Sequence, residues 1–297
     1  MDPAQHRFAL ASRRLYRWAG VVHALPLPER IKVAAARILG RALSPYRPDL
    51  PKAMAGLQLG LKRSEADARV LCRAWLASHG LFALSIFDYR HCDADWVRDQ
   101  VSVDRPEVLA QIVRRGGLVL TYHSFHHNTL GIVLGQSGSA VYGVAATEQD
   151  NPMTPFIGRY LRIINGDSEA RFGGGRYLYT DQPRELIRGV RDALEGGHSV
   201  VTLCDNPTPP GPVPPATVMG RQVSVGTGVL AQARAAGAPV FFALLYPDLR
   251  GGYRLALEDA GAIEDLHATV QAYFRFLERQ LQIAPWAWQG WAWWGDL

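Results

Sequence analysis

From Gly116 to Thr147 the chain runs without a single Asp, Glu, Lys or Arg. A charge-free run of that length belongs in a bilayer or in a protein interior. Its middle decides between them. His123, His126, His127 and Asn128 fall within six residues, beside several glycines, and hydrocarbon offers them no partner. The run therefore reads as strand (Leu118–Tyr122), polar turn, helix (125–137) and second strand (Ala140–Ala145). No transmembrane helix is predicted. The first half, GGLVLTYHSFHHNTLG, matters most: paired glycines end a helix, an apolar strand follows, and titratable groups appear at its carboxyl end. Open α/β sheets place their sites there.

The rest of the chain fits around that unit. Residues 7–43 mix Arg13, Arg14 and Arg17 with Leu15, Trp18 and Val22 at helical spacing, which suits a helix packed across a domain or lying on a membrane surface. Pro26 and Pro28 break it, and a second helix spans Glu29–Leu43. Pro45–Pro51 reads as a loop. Ser64 and Asp67 form a capping box for a long helix to about Tyr89, with Leu71, Trp75, Ser78, Phe82 and Ile86 on one face. Asp104, Pro106 and Glu107 open another helix, which Gly116 and Gly117 end.

Strands and helices then alternate. A helix over Pro152–Ile164 and a strand at Tyr177–Tyr179 precede a helix capped by Asp181. Ser199–Cys204 is a buried strand ending at Asp205. The proline-rich Asn206–Pro215 is a semi-rigid loop. Thr217–Val225 is strand-like, Gly226–Ala236 helical, Val240–Tyr246 and Tyr253–Leu257 strands, and residues 264–282 a helix. The tail PWAWQGWAWWGDL either packs across the domain or sits at a lipid interface. The fold class predicted is α/β: one domain, 61–297, with a central mixed, mostly parallel sheet flanked by helices, behind an N-terminal helical, membrane-associating segment, 1–60.

Composition narrows the setting. The 48% hydrophobic content excludes global disorder. The net charge of +5 is carried almost wholly by arginine, since Lys32, Lys52 and Lys62 are the only lysines. Either the genome favours arginine or the partner is anionic: membrane phosphate, an acidic carrier protein or a phosphorylated substrate. Nucleic acid is not expected. Cys72, Cys92 and Cys204 are too scattered for a disulfide framework or a zinc site, and no secretory signal is visible. A cytoplasmic, reducing setting is the expectation, with any membrane contact peripheral on the inner surface.

His123 sits where a general base belongs, at the end of a buried strand. A base needs an acceptor for its other ring nitrogen and donors for an oxyanion. Asn128, early in the next helix, can turn back toward it. Asp205 ends another strand on the same sheet edge if the strands are parallel. Glu148 follows a third strand. His126 and His127 lack a Cys or carboxylate at ligand spacing, so no metal is predicted. Arg159, Arg162 and Arg221 are candidates for a phosphate, and backbone N–H groups near Gly226–Gly228 for an oxyanion.

These motifs together resemble the bacterial lysophospholipid acyltransferase superfamily, in its branch of lipid A lauroyl/myristoyl and phosphatidylinositol mannoside acyltransferases. The resemblance covers most of the chain. It rests on GGLVLTYHSFHHN, the helix Arg184–Leu194 with its glycine turn, VVTLCDNP, and MGRQVSVGTGVLAQARAAGAPVFFALLY in that order. It implies an acyl group moving from a thioester, on acyl carrier protein or coenzyme A, to a hydroxyl or amine of a lipid or glycolipid, with no bound cofactor. His123 takes the family's base. The family's acid five residues on is here Asn128, and its later strand-end acid is Asp205. The family's arginine after the next strand is absent from AATEQDNP. The site set expected is thus His123, Asn128 and Asp205 for chemistry, with His127, Glu148, Arg159, Arg221 and Gly226 for substrate. The competing expectations are a catalytically silent member of the same fold that binds acyl chains or partners an enzyme, and a purely structural membrane-surface protein.

Overall fold

A computed structural model describes residues 3–147 and 154–294. Glu148, expected in the site, lies outside the described residues, as does the predicted start of the helix at Pro152. The N-terminal part is helical. Helices α1 (Pro3–Ala24) and α2 (Glu29–Arg41) are separated at the predicted prolines, and both pack on α4 (Glu65–Ser85). The α2–α4 crossing is close because glycines meet there. A Cβ on Gly40 would lie 2.1 Å from the Leu76 carbonyl oxygen, and one on Gly80 1.9 Å from that of Ala36. Ser64 caps α4 as predicted, accepting from the Asp67 N–H at 3.1 Å.

Seven strands form one sheet: β1 (Val101–Val103), β2 (Gly117–Thr121), β3 (Val141–Ala145), β4 (Tyr177–Tyr179), β5 (Ser199–Leu203), β8 (Pro239–Pro247) and β9 (Tyr253–Ala262). Their spatial order is β1-β9-β8-β2-β5-β3-β4, and every pairing is parallel except β8 with β9. The α/β class with a mixed, mostly parallel sheet is therefore the observed one. The central strand β2 is buried along its whole length, which is why it reads as a continuous apolar run instead of an alternating one. Leu118, Val119 and Leu120 are wholly inaccessible, each burial stabilising by roughly 1.5–3 kcal/mol. Helices α6 (Pro106–Arg115), α7 (His127–Gln136), α8 (Thr154–Glu169), α9 (Pro183–Glu195), α10 (Gly228–Ala235) and α11 (Leu266–Ile283) cover the sheet. The charge-free run is thus β2, α7 and β3, an interior segment. Among the described residues no helix is long and apolar enough to cross a membrane.

Several local expectations need correction. The loop expected at Pro45–Pro51 is a short 3-10 turn, Ser44–Tyr46, leading into helix α3 (Leu50–Gly60), with Pro51 in its first turn where a missing N–H costs nothing. Helix α5 (Ala94–Gln100) and edge strand β1 lack a sequence signal strong enough to mark them. The single strand expected over Thr217–Val225 is a hairpin, β6 (Ala216–Val218) and β7 (Arg221–Val223), because Met219 and Gly220 turn at positive φ, 46° and 80°. Strand β9 continues past Leu257 to Ala262. Asp181 does not cap α9; Gln182 occupies the cap position without a side-chain bond. Asp104 accepts from the Leu257 N–H at 2.9 Å, fastening the start of α6 to β9.

The tryptophan tail packs inward. Trp288, Trp291 and Trp294 are buried, and the last turn, α12 (Trp291–Trp294), lies against α3.

Candidate active site

Strand register brings the two principal residues together. Strands β2 and β5 pair in parallel from Gly117 with Ser199 to Thr121 with Leu203. Continuing that pairing two residues past each strand end places His123 beside Asp205. The Cys204 N–H donates to the Thr121 carbonyl at 2.8 Å, extending the ladder one step further. His123 Nδ1 then lies 2.7 Å from Asp205 Oδ1, and the His123 backbone N–H is 3.0 Å from both carboxylate oxygens. The second oxygen, Oδ2, accepts from the Trp288 indole N–H at 2.6 Å.

Electrostatics follow from this enclosure. The Asp205 side chain is fully inaccessible, whereas that of His123 keeps 26% exposure. Burial alone pushes the imidazole down, but the charge of Asp205 and its hydrogen bond outweigh it, so His123 lies above its ordinary value. With Nδ1–H given to Asp205, the lone pair is on Nε2.

His123 forms part of the wall of a cleft of about 640 Å³ between the sheet edge and helices α1, α4 and α8. Its lining is largely apolar: Phe8, Tyr16, Phe82, Phe125, Ile157 and Leu161 among others. His127 is in the same wall, its ring 6.4 Å from that of His123. Its Nδ1–H donates to the Ser124 carbonyl at 2.6 Å, leaving Nε2 as an acceptor. Burial holds His127 down to about 4, the Ser124 carbonyl opposing and His123 reinforcing the shift. His126 is different. It is buried, bonded at Nε2 to the Ser78 carbonyl (3.2 Å) and at Nδ1 to the Tyr253 hydroxyl (3.3 Å), and burial pushes it down to about 3. Among the described residues no three His, Cys, Asp or Glu converge at metal-ligand range.

Other expected residues are placed differently. Asn128 lines the cleft but does not orient His123: its Nδ2 donates to the Tyr177 hydroxyl at 2.8 Å, a group also 2.8 Å from Ser168 Oγ. The first turn of α7 points its side chain at β4 instead of back along β2. Arg159 is outside the cleft, in a groove of about 750 Å³ shared with Arg13, Arg14, Arg17 and Arg162. Arg221 lies with its guanidinium 4.4 Å from the Trp294 ring centroid, and Gly226 is exposed beside Thr208. Neither lines the cleft.

Sequence reasoning missed Arg47, His79, Tyr177 and Trp288. Arg47 borders the cleft, ion-paired to Asp49, 4.4 Å from the Trp75 ring centroid and 3.3 Å from His79 Nδ1. His79 stacks on Phe125 at 4.4 Å. His79 comes from a helix whose spacing looks like ordinary packing and Arg47 from the connection between the Ser44–Tyr46 turn and α3, so only the density of tryptophan in the tail offered a signal, and only for Trp288.

No protein-family model matches the chain, and no curated protein matches it. Among solved structures it is similar to the crystal structure of the 1-acyl-sn-glycerophosphate (LPA) acyltransferase PlsC from Thermotoga maritima, at 15% identity and a TM-score of 0.38, over 79% of this chain and 95% of that one.

Proposed function

We propose that the protein is an acyltransferase that moves a fatty or related acyl group from a thioester, on acyl carrier protein or coenzyme A, to a hydroxyl or amine acceptor. The observation that carries this is the His123–Asp205 pair, with His123 on the wall of a large apolar cleft. A base held by a buried carboxylate suits proton removal, and greasy walls suit an acyl tail.

In the proposed reaction His123 Nε2 takes the proton from the acceptor as its oxygen or nitrogen attacks the thioester carbonyl carbon. Asp205 stays ionised and stabilises the imidazolium that forms. The tetrahedral oxyanion faces the opening turn of α7. There the backbone N–H groups of His127 and Asn128 have no acceptor among the described residues, and the helix dipole is positive. Collapse breaks the carbon–sulfur bond, and His123 returns its proton to the departing thiolate. Asn128, tied to Tyr177, shapes the pocket. No bound cofactor enters this scheme; the thioester is a co-substrate.

Partners follow from the surface. The five-arginine groove suits phosphates or carboxylates on the donor or on a membrane. Trp18 and Val21 on α1, Leu25 just after it, and Ile31 and Ile38 on α2 are exposed large apolar residues on the same segment, 1–60, which suits peripheral contact with an anionic bilayer.

The test is release of free thiol from a purified acyl thioester with hydroxyl and amine acceptors. Turnover that disappears in His123→Ala supports the proposal. Acyl binding that survives the substitution, with no turnover by either protein, supports a silent binder instead.

A further inference from the structure

The tryptophan-rich C-terminus touches both members of the pair. Asp205 Oδ1 accepts from His123 Nδ1–H and shares the His123 backbone N–H with Oδ2. Beyond that shared N–H, the donor to Oδ2 is the Trp288 indole, at 2.6 Å. Trp288 is itself fixed on either side. The Trp75 indole donates to its carbonyl at 2.9 Å, and the N–H of the next residue, Gln289, donates to the His123 carbonyl at 2.8 Å. Trp293 closes the group, its ring edge-on to that of His123 at 5.5 Å. The tail thus meets the carboxylate from one side and the backbone of the base from the other.

We infer that Trp288 is a positioning residue: its indole N–H holds the Asp205 carboxylate in the rotamer that orients His123, so docking of the C-terminal tail completes the site. This rests on the acyl-transfer reading for its kinetic consequences but not for its electrostatic ones. A carboxylate with two oxygens can swing about its last bond. A buried oxygen with its full set of donors has a reason not to. Packing alone would need only the indole's shape, and an aromatic ring without the N–H would serve equally well.

Deleting the donor has a definite sign. An N–H at 2.6 Å disperses the carboxylate charge; without it the His123–Asp205 pair binds its proton more tightly, and the midpoint at which His123 titrates moves up. The other titratable groups facing the pair are His127 on α7, and Tyr122, Cys204 and Tyr273 around Asp205. Burial holds His127 down and the other three up, so all four stay neutral through the range in which His123 titrates.

The experiment compares Trp288→Phe, and replacement of Trp288 by benzothienylalanine (which keeps the bicyclic shape and lacks the N–H), with Trp291→Phe. Trp291 is in the same tail, but its indole donates to the Pro285 carbonyl, away from the pair. His123 is followed by NMR over pH, and turnover by thiol release. Both Trp288 replacements are expected to raise the His123 midpoint by about half a unit or more, and to lower kcat up to about 10²-fold with KM nearly unchanged. Trp291→Phe is expected to cost stability while leaving the midpoint in place. An unmoved midpoint in folded benzothienylalanine protein overturns the inference, as does an equal shift in Trp291→Phe. If the native protein turns over no acyl thioester, the acyl-transfer reading falls, and the NMR titration still decides the role of Trp288.

Discussion

At position 205 a carboxylate does two things that an amide of the same shape cannot. It accepts at both oxygens at once, from His123 Nδ1–H and from the Trp288 indole N–H, and its charge outweighs the burial that would otherwise depress the His123 ring. Asp205→Asn therefore removes the upward influence and leaves the downward one. The pH at which activity rises should move to lower pH, while the limiting rate falls by about 10³–10⁴. A pH–rate profile of the variant checks both. At this scale the sequence was legible where chain direction decided the outcome. His123 and Asp205 each follow a buried strand, and parallel pairing brings strand ends together whatever the side chains do. Asn128 was not legible, since its direction depends on where the first turn of α7 begins. Arg221 and Gly226 lie on a hairpin and loop whose course past the sheet edge no spacing specifies.

The turn between β2 and α7 carries a second consequence. It buries His126 and His127 as neutral rings with folded values of about 3 and 4, against roughly 6.5 in an unfolded chain. Between those values the unfolded state binds more protons, so this element loses stability as pH falls from about 6.5 toward 4. His123 acts with the opposite sign. Its folded value is raised, so its contribution is present below 6.5 and is lost as pH rises through that value. The windows are separate: below about 6.5 the His123 contribution is already complete, and the two depressed rings set the slope. Thermal melts should show Tm falling steadily on acidification, and His126→Gln should make that fall shallower even if it lowers Tm at neutral pH. Elements were legible here by the same logic as residues. Strong apolar runs and capped amphipathic helices stood out, whereas α3, α5 and β1 are short and draw their stability from neighbours, which local pattern does not encode.

For the molecule as a whole, surface charge and shape coincide. Five arginines with no ion pair among the described residues share one groove between α1 and α8, whose inner faces line the cleft. The N-terminal segment that carries α1 and α2 exposes Trp18, Val21, Leu25, Ile31 and Ile38. If this surface meets a membrane, the protein should sediment with vesicles containing anionic phospholipid and not with neutral ones. Arg13→Glu combined with Arg17→Glu should abolish the association, and added salt should weaken it. Sedimentation unchanged by lipid charge would remove the membrane from the account without touching the chemistry. The α/β class was legible because alternating strand and helix patterns admit few topologies. The roof formed by α1 and α8 was not, because that contact joins segments far apart in the chain.

Thiol release from an acyl thioester, measured for the native protein and for His123→Ala under identical conditions, bears most directly on the whole account. Acceptor-dependent release by the native protein that falls to background in the variant, with the variant still folded, is the predicted result. Equal release by both proteins would show that this imidazole takes no part in the transfer.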